Sequence, residues 1–259
     1  MEVLNQLKAI YKGENAIQNH ITLFSILGIV VILLNNIVAA WGPSSMFFDF
    51  FAVAPSSRFE LWISLTVCLV LMIYLFGYDC KFVHSRFENM ENGLPTMDLA
   101  PMTMFFKTFP VFVLWQVYYA FLLVFGAMFI LPTKNSTLIY LLSSLLVCSL
   151  PFTNLILVRF TSDFRYSKEI MLPSSIFKYI DKCLIPVICV VFGVIVLTII
   201  PGCGVYYVAN FAHKISSEPL RLSVYLADVC VFVYLIAILK FAYLGSFAKI
   251  VKSKIFNQG

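Results

Sequence analysis

The sequence predicts an all-α fold, a bundle of six transmembrane helices with amphipathic interfacial helices on the cytoplasmic face. Three observations predict it. The 259 residues are 61% hydrophobic and 12% charged, whereas soluble domains are roughly 45–50% apolar and about 25% charged. That excess cannot hide in a soluble core of this size, so lipid must solvate much of the chain. Six runs approach or exceed the ~20 apolar residues that cross a hydrocarbon core: 21–41, 59–78, 108–131, 137–158, 184–208 and 222–247. They are continuous rather than alternating, which favours helices over barrel strands. Finally, charge is biased. With the N-terminus inside, 14 lysines and arginines fall on cytoplasmic segments and only 4 (Arg58, Lys134, Lys214 and Arg221) outside. The positive-inside rule then puts both termini in the cytoplasm. The chain reads as a single integral membrane domain.

Ahead of the first span, Val3, Leu4, Leu7, Ile10 and Tyr11 recur at helical spacing. They predict either a short amphipathic helix on the inner surface, stopped by Gly13, or a plain lead-in to the span. The first run is too long for a signal-peptide core, so no cleavable leader is expected. Asn35 and Asn36 sit deep in this span, with Gln116 and Asn154 in the third and fourth. Amides there act as interhelical glue more often than as a polar path. The first outer loop carries Met46-Phe47-Phe48-Asp49-Phe50-Phe51, aromatics suited to the outer interface.

The densest patterning follows the second span. Gly77-Tyr78-Asp79 closes it, and Lys81, His84, Arg86, Glu88 and Glu91 continue a helix to Asn92-Gly93, a helix stop. Leu94-Pro95 begins an extended element, because proline disfavours α-conformation in the residue before it. Asp98 then leads into 99–109, read as an interfacial or shallow re-entrant stretch. A second connection follows a related plan: Arg159-Phe160, a polar helix, then Leu172-Pro173 and a helix capped by Ser174. In that helix Ile176, Phe177 and Ile180 share one face. The likeness suggests a parallel repeat, a device of several transporters, although Arg86 to Leu94 is shorter than Arg159 to Leu172. Pro110, Pro151, Pro186 and Pro201 kink or bound spans. Pro201-Gly202-Cys203-Gly204 is the strongest helix breaker, expected to end or sharply bend the fifth span.

Gly77-Tyr78, the charged stretch 81–91, Leu94-Pro95 and Asp98 together resemble a family of small bacterial and archaeal multi-pass membrane proteins of unknown function. That family shows Gly-Tyr closing a span, a basic helix, Leu-Pro and an acidic position. The resemblance covers about 50 residues. It implies a bacterial inner (plasma) membrane protein with interfacial helices and transfers no catalytic residue.

Asp228 and Lys240 both fall in the sixth run, where a charge is costly enough to mark a functional candidate. Twelve positions separate them, ~18 Å along a helix, so they cannot pair with each other. Two readings stand for Asp228, a working group or an interface-adjacent charge; Lys240 reads as a snorkelling lysine. The three histidines and seven cysteines show no metal spacing, and Asn135-Ser136-Thr137 matches a glycosylation sequon by chance. No catalytic or cofactor-binding set converges, so no cofactor is expected. Candidate functional positions are Gly77, Tyr78, Arg86, Leu94, Pro95, Asp98, Arg159, Leu172, Pro173 and Asp228. The expected role is a non-enzymatic membrane protein, permease-like or handling lipids or small molecules at the inner leaflet. The alternative is an accessory subunit of a larger membrane complex. Membrane lipids are the expected partners, other membrane subunits belong to the alternative, and the scattered basic residues point to no nucleic acid.

Overall fold

In a membrane each backbone polar group must find its partner within its own segment, and the described chain is correspondingly helical. A computed structural model describes residues 2–13, 15–41, 58–88, 92–130 and 136–256, with the backbone alone at 35, 36, 38–41, 127, 129, 130, 136, 138–143, 145–148 and 218. The elements are α1 (Glu2–Ile10), α2 (Ala16–Trp41), α3 (Arg58–Phe87), α4 (Ala100–Ile130), α5 (Ser136–Asp163), α6 (Lys168–Met171), α7 (Ser175–Ala212) and α8 (Glu218–Val251), closed by a π-helical turn, Lys252–Phe256. Among the described residues, 5 helices are long and apolar enough to cross a membrane: α2, α3, α4, α7 and α8. Helix α5 matches them in length, with 28 residues. The side chains of Asn35 and Asn36, the aromatic cluster at 46–51, Glu91 and the Asn135 sequon position lie outside what is described.

Helices α3, α5 and α8 pack against one another at the centre. Each outer helix bridges two of them: α2 lies on α3 and α8, α4 on α3 and α5, α7 on α5 and α8. The bundle is thus three consecutive helical hairpins, each contributing one outer and one central helix. Glu2 of α1 pairs with Lys249 of α8 at 2.8 Å, so the two chain ends meet at one end of the bundle, its near end. The core concentrates there. Tyr78, Phe82, Trp115, Leu155, Phe160, Tyr179, Cys183, Phe247 and Val251 are all buried. Farther along, the helices bury little. Phe121, Leu122, Leu123, Val124 and Phe125 of α4 are exposed in succession, more than a full turn of apolar surface.

Several expectations change. Residues 100–109 form no separate interfacial stretch but the first turns of α4, which runs unbroken through Pro110. Likewise α7 continues for 38 residues through Pro186 and Pro201 to Ala212. A proline costs a helix one backbone bond, and ending the helix in an apolar medium would free several more. The face containing Phe177 is shifted. Phe177 is 74% exposed, while Tyr179 and Cys183 turn inward. Helix α1 exists as expected, but Val3 and Ile10 are buried within the protein core rather than left for a membrane surface.

Candidate functional site

The segment after α3 is held by its own carbonyl groups. Four consecutive backbone oxygens each accept a side-chain donor. Arg86 Nη2 donates to Gly93 O at 3.1 Å and Asn19 Nδ2 to Leu94 O at 2.9 Å. The Tyr78 hydroxyl donates to Pro95 O at 2.7 Å, and Lys81 Nζ to Thr96 O at 2.6 Å. Gly93 N donates in turn to Ala9 O at 2.7 Å, tying the segment to the end of α1. Gly93 adopts φ +81° beside Gly13, a left-handed conformation that favours glycine. Asp98 finishes the strap. One carboxylate oxygen accepts from Lys81 at 2.7 Å and the other from the Ala100 amide at 2.9 Å, at the start of α4. Gly77 allows the crossing below it, since a Cβ there would lie 1.9 Å from Pro101 O. The structure therefore brings Gly77, Tyr78, Arg86, Leu94, Pro95 and Asp98 together, and it gives them architectural work.

The second connection is built differently. Trp115 Nε1 and the Tyr118 hydroxyl, both on α4, donate to Ile170 O at 3.0 Å and Met171 O at 2.8 Å. Arg159 pairs with Asp163 at 3.1 Å, one turn along α5, and lies over the Phe256 ring. Glu169 pairs with Lys178. Leu94 and Pro95 are buried, whereas Leu172 and Pro173 are exposed. The two Leu-Pro loops are not equivalent in space.

A second polar cluster lies where the three central helices meet. Asp79 of α3 accepts a hydrogen bond from Lys240 of α8, with side-chain exposures of 14% and 54%. Beside them Asn154 of α5 donates to the Tyr243 hydroxyl at 3.1 Å. Asp79, Lys240 and Asn154 border a cavity of about 130 Å³. Its remaining wall is mostly apolar, with Phe76 and Val83 from α3, Phe112 from α4, Leu157 and Val158 from α5, and Leu244 from α8. The buried Thr108 hydroxyl of α4 also lines it, beside the Cys80 thiol of α3. Sequence reasoning named Lys240 and Asn154 singly and took Asp79 as the close of the second span. The available signal was that each interrupts, or ends, an apolar run.

Asp228 stands apart, half-buried on the far half of α8, without a hydrogen bond or ion pair to a described residue. Gln116 is exposed. The histidines serve separate contacts. His20 meets the Tyr234 hydroxyl at 2.7 Å, His84 contacts Glu88 at 3.3 Å, and His213 lies edge-on to Tyr225. The six described cysteines are free thiols. Against family models, curated proteins and solved structures, the chain finds no match.

Proposed function

We propose that this protein is a non-enzymatic, permease-like membrane protein. In this reading it crosses the membrane six times, keeps both termini cytoplasmic, and receives the polar head of a lipid or small amphiphile at inner-leaflet depth. The observation that supports it is the Asp79–Lys240 pair bordering the apolar cavity. Charges within or beside a membrane span are costly and mark solute or ion pathways more often than they add stability. Paired charges of opposite sign suit a zwitterionic head, its ammonium to Asp79 and its phosphate to Lys240. Arg86, Lys81 and Lys249 gather at the same end of the bundle as the cavity, consistent with an inner-leaflet face. A bacterial inner membrane and kinship with the Gly-Tyr/Leu-Pro family belong to the same proposal.

The test is photocrosslinking in vesicles with a diazirine-bearing phosphatidylethanolamine. Labelled peptides should come from the cavity walls on α3, α5 and α8, and labelling should fall several-fold in Asp79→Asn and Lys240→Met. Even labelling of all outward faces, or cavity labelling untouched by both variants, would refute it.

The accessory-subunit reading rests on a different observation, the exposed apolar stretch 121–124 of α4. Purification in mild detergent decides it. A stoichiometric second protein lost on Phe121→Ala/Leu122→Ala substitution supports that reading, and a lone monodisperse chain opposes it.

A further inference from the structure

Asp228 is the one acid set deep within an apolar run. No Asp, Glu, Lys, Arg or His occurs at 21–41, 61–78, 108–131, 137–158 or 184–212, and between 222 and 239 Asp228 alone is charged. Its carboxyl is half-buried and makes no hydrogen bond or ion pair to a described residue. Around α8, at 3.6 residues per turn, it lies ~160° from Cys230, whose Sγ sits beside Gly28 of α2. It lies only ~60° from Tyr225, whose hydroxyl donates to Ala209 O of α7 at 3.2 Å. The carboxyl therefore sits toward α7 and away from α2. Every side chain of α7 is described, and the helix offers Asp228 no cation. Its titratable groups in this half are Cys203, Tyr206 and Tyr207, with His213 and Lys214 past its last turn. Arg221 of α8 lies two turns away, ~10.5 Å along the axis, and is engaged elsewhere.

We infer that Asp228 is a proton-binding site inside the membrane, a carboxyl that loads as the neutral acid and releases its proton to water. The inference rests on the reading that places the Asp79–Lys240 pair at inner-leaflet depth. Twelve residues, ~18 Å, then separate Asp228 from that boundary, and ~12 Å of a ~30 Å hydrocarbon core remains beyond it. An ionised carboxylate without a cation is too costly there, and taking a proton neutralises it. A metal ion suits the position less well. Hard divalent cations collect six or more oxygens, and Asp228 has no hydrogen-bonding neighbour among the described residues to add to its own two. Loss of the proton to water leaves the carboxylate, which reloads by taking a proton back. Such a group gives a permease-like protein a means of coupling to a proton gradient.

The experiment labels the full-length chain in lipid vesicles with dicyclohexylcarbodiimide, which partitions into the bilayer, or with a water-soluble carbodiimide. Modified residues are mapped by mass spectrometry. The reagent takes the proton of the acid while a carboxyl oxygen bonds to its central carbon, and the O-acylurea rearranges to a stable N-acylurea. Asp228 should be labelled by the lipid-soluble reagent at neutral pH, and at least several-fold less by the water-soluble one. Labelling should fall as pH is raised and return when neutral pH is restored. Asp228→Glu should keep the label, and Asp228→Asn should lose it at that peptide. Preferential reaction with the water-soluble reagent would show a hydrated carboxyl at the surface. No reaction with either would show a carboxylate held by a cation, such as one supplied by a partner subunit. Labelling that no change of pH alters would show a proton that never leaves. Each of these three results overturns the inference, and the wild-type arms decide even if a variant fails to fold. Labelled Asp228 without phosphatidylethanolamine crosslinks at the Asp79 cavity would keep the proton site and refute the lipid reading. The converse pattern would refute the proton site alone.

Discussion

Asp79 and Lys240 lie 161 residues apart in sequence and share a hydrogen-bonded ion pair between two central helices. The partners are unequal. Asp79 is mostly enclosed, whereas Lys240 is half-exposed on a long flexible stem. Lys240→Met therefore strands an enclosed carboxylate and should cost about 3 kcal/mol, near the lower range for breaking a buried pair. Asp79→Asn leaves a lysine that can snorkel away and should cost about 1 kcal/mol or less. Thermal unfolding of both variants in one detergent checks the order. Equal losses would mean that the two charges are equally accessible to solvent.

Gly77 is a contact point rather than a flexible joint. The Cβ of Gly77→Ala would sit 1.9 Å from the oxygen and 2.6 Å from the carbon of the Pro101 carbonyl, both backbone atoms that no rotamer change can clear. Helices α3 and α4 would have to separate, at a cost of about 3 kcal/mol or more. Gly202→Ala in α7 is the control. Nothing lies within 4 Å of its added methyl, so it should be neutral or stabilising by ~0.5–1 kcal/mol through helix propensity. Melting temperatures of the two variants should move apart. A Gly77→Ala protein that melts like wild type would show that the crossing is loose.

The hydropathy runs made the helical class and the approximate span positions legible. The motif Gly77-Tyr78, Arg86, Leu94-Pro95, Asp98 was legible as a unit, but not as a set of donors serving four successive carbonyls. That role depends on Asn19 and Lys81, whose residue types draw no notice. Helix packing was less legible. A span such as α4 is apolar on every side, so no polar stripe says which face meets which neighbour. The Asp79–Lys240 pair was hidden for the same reason. Each residue could be seen as an isolated charge near a span end, and only the central packing of α3 and α8 joins them. The repeated Leu-Pro misled because identical dipeptides ended up in unlike surroundings, one under α1 and α2, the other in the open.

That contrast is measurable. Leu94 is 5% exposed within the strap, and Leu172 is 49% exposed. Leu94→Ala removes buried side-chain volume and should cost ~2–4 kcal/mol. Leu172→Ala should stay within ~0.5 kcal/mol of wild type, as surface substitutions do. Unfolding midpoints of the pair are the readout. Equal destabilisation would restore the structural equivalence of the two loops.

Acid should loosen both loops, by an amount that two carboxylates set. The hydrogen bond from Lys81 holds the Asp98 carboxyl below its ordinary value, with the Ala100 amide adding to it against some opposing burial. The hydrogen bond from Lys178 does the same for Glu169. A carboxylate with a depressed folded-state value stabilises the fold above its unfolded value, ~3.9 for Asp and ~4.3 for Glu, and that stability is lost as pH falls through the folded value. Stability should thus be flat from neutral pH down to about 5 and then decline. The decline from these two groups is small and weakened by salt, because Asp98 and Glu169 are both about half-exposed at 51%. Asp98→Asn/Glu169→Gln should be slightly less stable at neutral pH and show a shallower acid limb. Hydrogen exchange at 93–98, followed from pH 6 to 3 after correction for the intrinsic rate, reads the first loop directly. An acid limb as steep in the double variant as in wild type would assign the pH dependence to other carboxylates.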